Sequence, residues 1–226
     1  MATKASEIQI PEDAVRCVVR GRHSHSVQDG PNETRTLTSS GAALCVAVRN
    51  EYAVLIGGSL MRQFGHQCMY ACSEYPRSLL TTFLVTNAEQ IVRDSRLNLD
   101  ASVKKAPAPA GSKHPNLHAH WKAEGLSVSD MLRRLAADPS LFGPQPVARA
   151  LANATDFVRN AFPEGRLVIT FDHEPAISLY AAQVGAKPEL LGLEECQAFL
   201  FFLDDGGNVI SVQKFTPPAT FPTPTK

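Results

Sequence analysis

Three short apolar runs, each followed by a helical pattern, restrict this chain to a sheet flanked by helices. Residues 14–19, Ala-Val-Arg-Cys-Val-Val, read as a buried strand ending at Arg20-Gly21. Residues 67–72, Gln-Cys-Met-Tyr-Ala-Cys, read as a second core strand. Arg166 to Asp172, Arg-Leu-Val-Ile-Thr-Phe-Asp, is the clearest of the three. Between them, Thr38 stands at an N-cap position ahead of an apolar face of Ala42, Ala43, Cys45, Val46 and Val48. Pro76 suits a first helical turn, and Leu79, Leu80 and Phe83 follow at helical spacing. Further helices are expected over 127–137, 144–162 and 175–184, the last ended by Gly185. Gly57-Gly58 is expected to break the chain after the apolar residues 53–56. Two more strands, 196–203 and 208–215, flank the hairpin signal Asp204-Asp205-Gly206-Gly207. This alternation predicts an α/β three-layer αβα sandwich. Its central sheet is mostly parallel with a C-terminal hairpin, and helices cover both faces.

The 226 residues fit one such domain over 1–215. The run Lys-Lys-Ala-Pro-Ala-Pro-Ala-Gly-Ser-Lys-His-Pro within 100–116 excludes a helix or a central strand there. It reads as part of an insertion at about 95–163 inside one domain, because the N-terminal part alone lacks a full set of elements. A Pro/Thr-rich tail, 216–226, is expected to be disordered or extended.

Lys+Arg and Asp+Glu both number 22, so net charge is zero, against the basic excess of a dedicated nucleic-acid or anionic-membrane binder. No run approaches the roughly 18 apolar residues of a membrane span. Met1 to Pro11 carries Lys4 and Glu7 and no apolar core, so no secretory signal is expected. Cys17, Cys45, Cys68, Cys72 and Cys196 are odd in number and sit mostly in apolar stretches. They read as reduced core residues of an intracellular, cytoplasmic protein.

In an open α/β sheet, ligands bind beyond the carboxyl ends of the strands. The first strand here leads into Arg20-Gly21-Arg22-His23-Ser24-His25. The second leads to Ser73, with Arg77 one helical turn on, and the third to Asp172-His173-Glu174. Brought together, these ends would gather guanidinium groups, imidazoles and a carboxylate around one point. Guanidinium forks match phosphate oxygens bidentately, and imidazole can donate a hydrogen bond or attack phosphorus. The expected ligand is a tetrahedral dianion.

These fragments resemble the histidine phosphatase superfamily, which includes phosphoglycerate mutase-like and acid phosphatase-like enzymes. Arg22-His23-Ser24-His25-Ser26 resembles its Arg-His-Gly-x-Ser signature, and Leu37-Thr38-Ser39-Ser40-Gly41 its Leu-Thr-x-x-Gly helix start. Ser73, Arg77 and Thr81 match its Ser-x-x-x-Arg-x-x-x-Thr spacing. Phe171-Asp172-His173-Glu174 resembles the strand that ends in its second histidine. The likeness covers roughly 14–94 and 164–215. There are departures. Ser24 replaces the family glycine, with Gly21 as an extra permissive residue; Ser26 stands where the acid phosphatases have a second arginine; and Glu174 follows the second histidine where they commonly have aspartate. The mutase branch draws its acid from the segment after the second arginine, where Asp100 stands, but Glu174 is the preferred acid.

The resemblance implies a phosphomonoester hydrolase or phosphomutase acting on a small phosphorylated substrate through a phosphohistidine. His23 would be the nucleophile. Arg22, Arg77 and His173 would hold the phosphoryl oxygens, and Glu174 would serve as acid and base. His25 and Ser26 would lie at the pocket rim. No metal or organic cofactor is implied. Two other classes stay open. One is a non-catalytic member of the same fold that binds a phosphorylated ligand or a protein partner. The other is a zinc-dependent hydrolase built on His23-Ser24-His25 and His118-Ala119-His120. The sequence does not fix substrate identity, or whether the chain is a homodimer.

Overall fold

The apolar runs pair into one six-stranded sheet. The computed structural model describes residues 4–27, 29–65, 67–98, 107–108, 111–126, 130–131, 133–134, 145–162 and 165–218. The strands are β1 (Arg16–Arg22), β2 (Cys68–Cys72), β3 (Val92–Arg93), β4 (Leu167–Asp172), β5 (Ala198–Leu203) and β6 (Val209–Phe215). Their order is β3-β2-β4-β1-β5-β6. β3, β2, β4 and β1 run parallel, and β5 and β6 add an antiparallel hairpin beside β1. The expected mostly parallel sheet with a C-terminal hairpin is the sheet observed. β3, only two residues long, carries too little pattern to be read from sequence.

Alternation along the strands sorts the core into two layers. Cys17 and Val19 of β1 and Leu167, Ile169 and Phe171 of β4 join Leu44, Cys45, Val48 and Tyr52 of α1 (Ser39–Ala53) on one face. Val18 and Val168 point the other way. They meet Ala154, Phe157 and Val158 of the helix Gln145–Asn160 and Ile177 and Tyr180 of the helix Glu174–Gln183. Helices thus cover both faces. Each fully buried aliphatic or aromatic side chain contributes about 1.5–3 kcal/mol. Phe157→Ala, in the centre of the second layer, is expected to cost about 3–5 kcal/mol.

Thr38 caps α1 as expected, its side chain accepting from the Gly41 amide. Gly57-Gly58 does not break the chain. The helix continues through a π-helical stretch, Val54–Leu60, into α2 (Met61–Phe64). Buried Leu55, Ile56 and Leu60 tie that stretch to the core, which outweighs a helix penalty of about 1 kcal/mol per glycine. The combined helix, Ser39–Phe64, is long and apolar enough to cross a membrane by length and composition, which the sequence reading did not anticipate. Its apolar residues include the core side chains just named.

α3 (Pro76–Thr86) ends on Asn87 in the left-handed conformation. α4 (Leu117–Ala123) forms just after the Pro-rich run, where no element was expected, with Asn116 capping the Ala119 amide. The expected helix 144–162 is α5 (Gln145–Asn160), and α6 (Glu174–Gln183) follows β4. Gly185 takes φ 90° just beyond α6. Of the helix expected over 127–137, residues 130, 131, 133 and 134 are described and are helical; its remaining residues and much of the insertion 95–163, Asp100 included, lie outside the described residues, as does the tail from 219.

Candidate active site

Three neighbouring parallel strands, β2, β4 and β1, end side by side, with Arg22 opposite Asp172 and Cys72 opposite Phe171. The next residue after each is Ser73, His173 and His23 in turn. Strands about 4.8 Å apart bring such residues into contact. The His23 and His173 ring centroids are 5.1 Å apart, and Ser73 Oγ lies 3.2 Å from His173 Nε2. Arg77, buried in the first turns of α3, donates from Nε to His23 Nε2 at 3.2 Å. The residues the sequence named as His23, Arg77 and His173 therefore share one site, with Ser73 beside them. Glu74, at the exposed end of this turn, bonds to Asn98 through its amide and its carboxylate.

The geometry fixes the tautomer of His23. Nδ1 lies 2.7 Å from the Ser24 carbonyl, which can only accept, so Nδ1 carries the proton and Nε2 carries the lone pair. Ser24 itself is fully buried. Its hydroxyl donates to the Gly41 carbonyl at 2.8 Å, and its amide donates to Thr81 Oγ1 at 3.1 Å. Thr81 in turn donates to the Arg77 carbonyl. A side chain at Gly41 would overlap the His25 carbonyl. The Leu-Thr-x-x-Gly and Ser-x-x-x-Arg-x-x-x-Thr fragments thus brace the loop that carries His23. Gly21 serves differently from expectation: the Phe171 ring occupies the space a side chain there would need. Ser26 bridges to Leu37, and His25, half exposed, sits 3.4 Å from Glu195 Oε1 at the rim.

Helix ends supply further positive potential. His173 is the N-cap of α6 and Tyr75 the N-cap of α3, and their rings lie 5.1 Å apart. Both helices therefore begin at the site, where the helix dipole favours an anion. The Tyr75 ring also carries the Arg77 guanidinium, 4.8 Å from its centroid. Burial pulls the Arg77 pKa below its usual value; Tyr75 and Glu33 oppose this, and Arg35 adds to it.

Arg22 and Glu174 form a neighbouring cluster braced by the loop 192–195. Arg22 donates to the Leu193 carbonyl at 2.7 Å and to Glu195 at 2.8 Å. These contacts use two of the five guanidinium N–H bonds. Glu174 Oε1 accepts from Ser178 Oγ at 2.9 Å and from the Leu193 amide at 3.2 Å. Its Oε2 is buried and has no partner among the described residues. Burial raises the Glu174 pKa, against the pull of Ser178, Arg22, the Leu193 amide and Lys214.

Beneath the histidines lies a pair the sequence reading missed. Arg20, within β1 rather than at its end, donates through Nε and Nη2 to both oxygens of Asp172, each at 3.1 Å. Neither side chain is exposed. Asp172 Oδ1 also accepts the His173 amide at 2.6 Å. Asp172, the last residue of β4, is therefore an internal prop for His173. Tyr75 and Glu195 were missed as well. An aromatic at a helix start and a carboxylate on a loop carry no local signal for a shared site.

Of the histidines in the zinc alternative, His120 of α4 bonds to Ser112 and pairs with Glu124, and the His118 side chain lies outside the described residues. Among the described residues no group of three or more His, Cys, Asp or Glu side chains is placed to hold a metal ion.

No protein-family model and no curated protein matches the sequence. Solved structures do. The protein histidine phosphatase SixA complexed with tungstate superposes with a TM-score of 0.51 at 15% identity, covering 89% of this chain and 97% of its own. The chain has the histidine phosphatase fold. A phosphoglycerate mutase from Bacillus anthracis str. Sterne gives 0.54 at 14% identity, covering 90% and 94%. A mutant phosphoserine phosphatase from Entamoeba histolytica in complex with phosphoserine gives 0.54 at 12%, covering 87% and 96%. The histidine phosphatase fold thus extends over most of the chain, while the identities are too low to carry an activity with it.

Proposed function

We propose that this chain is a phosphomonoester hydrolase that works through a phosphohistidine on His23. The observation that carries this reading is the convergence of His23, His173 and Arg77, with His23 Nε2 left as the basic nitrogen by the Nδ1 contact to Ser24. The proteins that share the fold include a phosphoglycerate mutase and a phosphoserine phosphatase in complex with phosphoserine, which supports a small phosphorylated substrate.

In the proposed reaction Arg77 leaves His23 Nε2 and takes up phosphoryl oxygens, joined by His173 and the two helix N-termini. Such preorganised donors are the main contribution to phosphoryl transfer. His23 Nε2 attacks phosphorus in line as the P–O bond to the leaving group breaks. Arg22 contributes its uncommitted N–H bonds from the neighbouring strand end. Glu174 supplies the leaving oxygen with a proton, then takes one from the water that cleaves the phosphohistidine.

The test is hydrolysis of p-nitrophenyl phosphate with and without a chelator, by the wild type and by His23→Ala. Chelator-insensitive turnover lost in the variant supports the reading. Turnover that a chelator abolishes contradicts it. Phosphate binding with no turnover of any phosphomonoester points instead to a binding member of the fold.

A further inference from the structure

We propose that Tyr75 is a positioning residue whose ring holds the Arg77 guanidinium and the His173 imidazole in fixed relation, so that both meet the phosphoryl group together. This rests on the hydrolase reading above. Three observations point to it. The Arg77 guanidinium carbon lies 4.8 Å from the ring centroid, within the range of a cation–π contact. The His173 ring meets the same ring at 5.1 Å and 60°, an edge geometry that aromatic pairs favour. Tyr75 also occupies the N-cap of α3, where Ser, Thr, Asp or Asn would stabilise the helix, and its side chain makes no capping hydrogen bond. The position gives up helix stability and gains a contact with two of the proposed phosphate-binding groups.

The physical need is plain. Arginine is a long side chain with many rotamers, and in the proposed reaction Arg77 must release His23 and find the phosphoryl oxygens. An aromatic face attracts the guanidinium without a directional hydrogen bond, so the contact can persist as the donors turn from His23 to the phosphoryl oxygens. The ring is half-buried, so removing it does not open the core.

The experiment compares Tyr75→Phe, Tyr75→Leu, Arg77→Ala and Tyr75→Leu/Arg77→Ala in the full chain. It reads kcat and KM on p-nitrophenyl phosphate and the Kd of orthovanadate. Tyr75→Phe keeps the ring and should stay within about twofold of wild type in every value. Tyr75→Leu should lower kcat and weaken vanadate binding about five- to tenfold, in line with loss of one cation–π and one aromatic contact. In the Arg77→Ala background the same change should cost less, because one of the two held groups is already gone. The His173 ring resonances in Tyr75→Leu should also shift, since an adjacent ring current is removed. A Tyr75→Leu protein with wild-type kcat and vanadate Kd, or effects that simply add to those of Arg77→Ala, would overturn the proposal. Both results presuppose a wild type that binds vanadate. A wild type that neither binds vanadate nor turns over substrate contradicts the hydrolase reading, and this inference falls with it.

Discussion

His23 Nδ1 lies 2.7 Å from the carbonyl of Ser24, the residue that stands where the resemblance expects glycine. The contact uses backbone, so serine serves as well as glycine for orienting the imidazole. The serine hydroxyl adds a bond to the Gly41 carbonyl that glycine could not make. Ser24→Ala removes that bond, though the Gly41 carbonyl lies within α1 and keeps its helical partner, and is expected to cost about 1 kcal/mol. Urea unfolding should show the loss, while kcat stays within a few-fold of wild type.

Gly41 and the His25 carbonyl are packed with no room for a methyl group. Gly41→Ala is expected to push the 24–26 loop off the start of α1 and move His23 with it. A 1 Å displacement of a reacting group costs about a hundredfold. Hydrolysis should fall by about that factor, with a Tm drop larger than that of Ser24→Ala. Wild-type kinetics in Gly41→Ala would show that the loop is not set by this contact.

Burial raises the Glu174 pKa, which ties stability to pH. Below the ordinary carboxylate range both folded and unfolded states hold the proton, and the residue is neutral to stability. As pH rises through the ordinary pKa the unfolded state releases its proton first. The folded state then binds more protons, and stability falls with rising pH until the folded pKa is passed. Glu174→Gln escapes that loss. Its Tm relative to wild type should climb as pH rises above the ordinary carboxylate pKa of about 4, while kcat falls about 10²–10⁴-fold for want of the acid. A Tm difference that does not change with pH contradicts the assignment.

Arg20 and Asp172 bond bidentately with no exposed surface. Arg20→Met would leave a buried carboxylate without its partner, at a cost of about 3–5 kcal/mol. Arg20→Met/Asp172→Leu removes both charges and should recover most of that stability. The double variant still lacks the acceptor for the His173 amide, so kcat should stay about ten- to a hundredfold low. Full recovery of both stability and activity would show that the pair does not position His173.

Much of the fold was legible because its signals are local. β-rich apolar runs, the Thr38 cap, Pro76 and the Asp204–Gly207 turn each act over a few residues. His23, His173 and Arg77 were legible as a site because strand ends in a parallel sheet meet at one edge. What was not legible depends on distant partners. Arg20 looked like the end of a strand, since nothing nearby discloses a carboxylate 152 positions away in the chain. Gly57-Gly58 looked like a break, since the burial that carries a helix across it is tertiary. Arg22 was read as facing the phosphate alone, whereas Glu195 and the Leu193 carbonyl already hold part of its fork.

The most direct measurement is acid-free trapping of the intermediate: rapid mixing with a phosphomonoester, quenching in base, and peptide mass mapping under conditions that preserve phosphoramidates. The account predicts one phosphoryl group on the peptide containing His23 and none in His23→Ala. Turnover with no phosphoryl group on His23 at any time, or with the group on another residue, contradicts it.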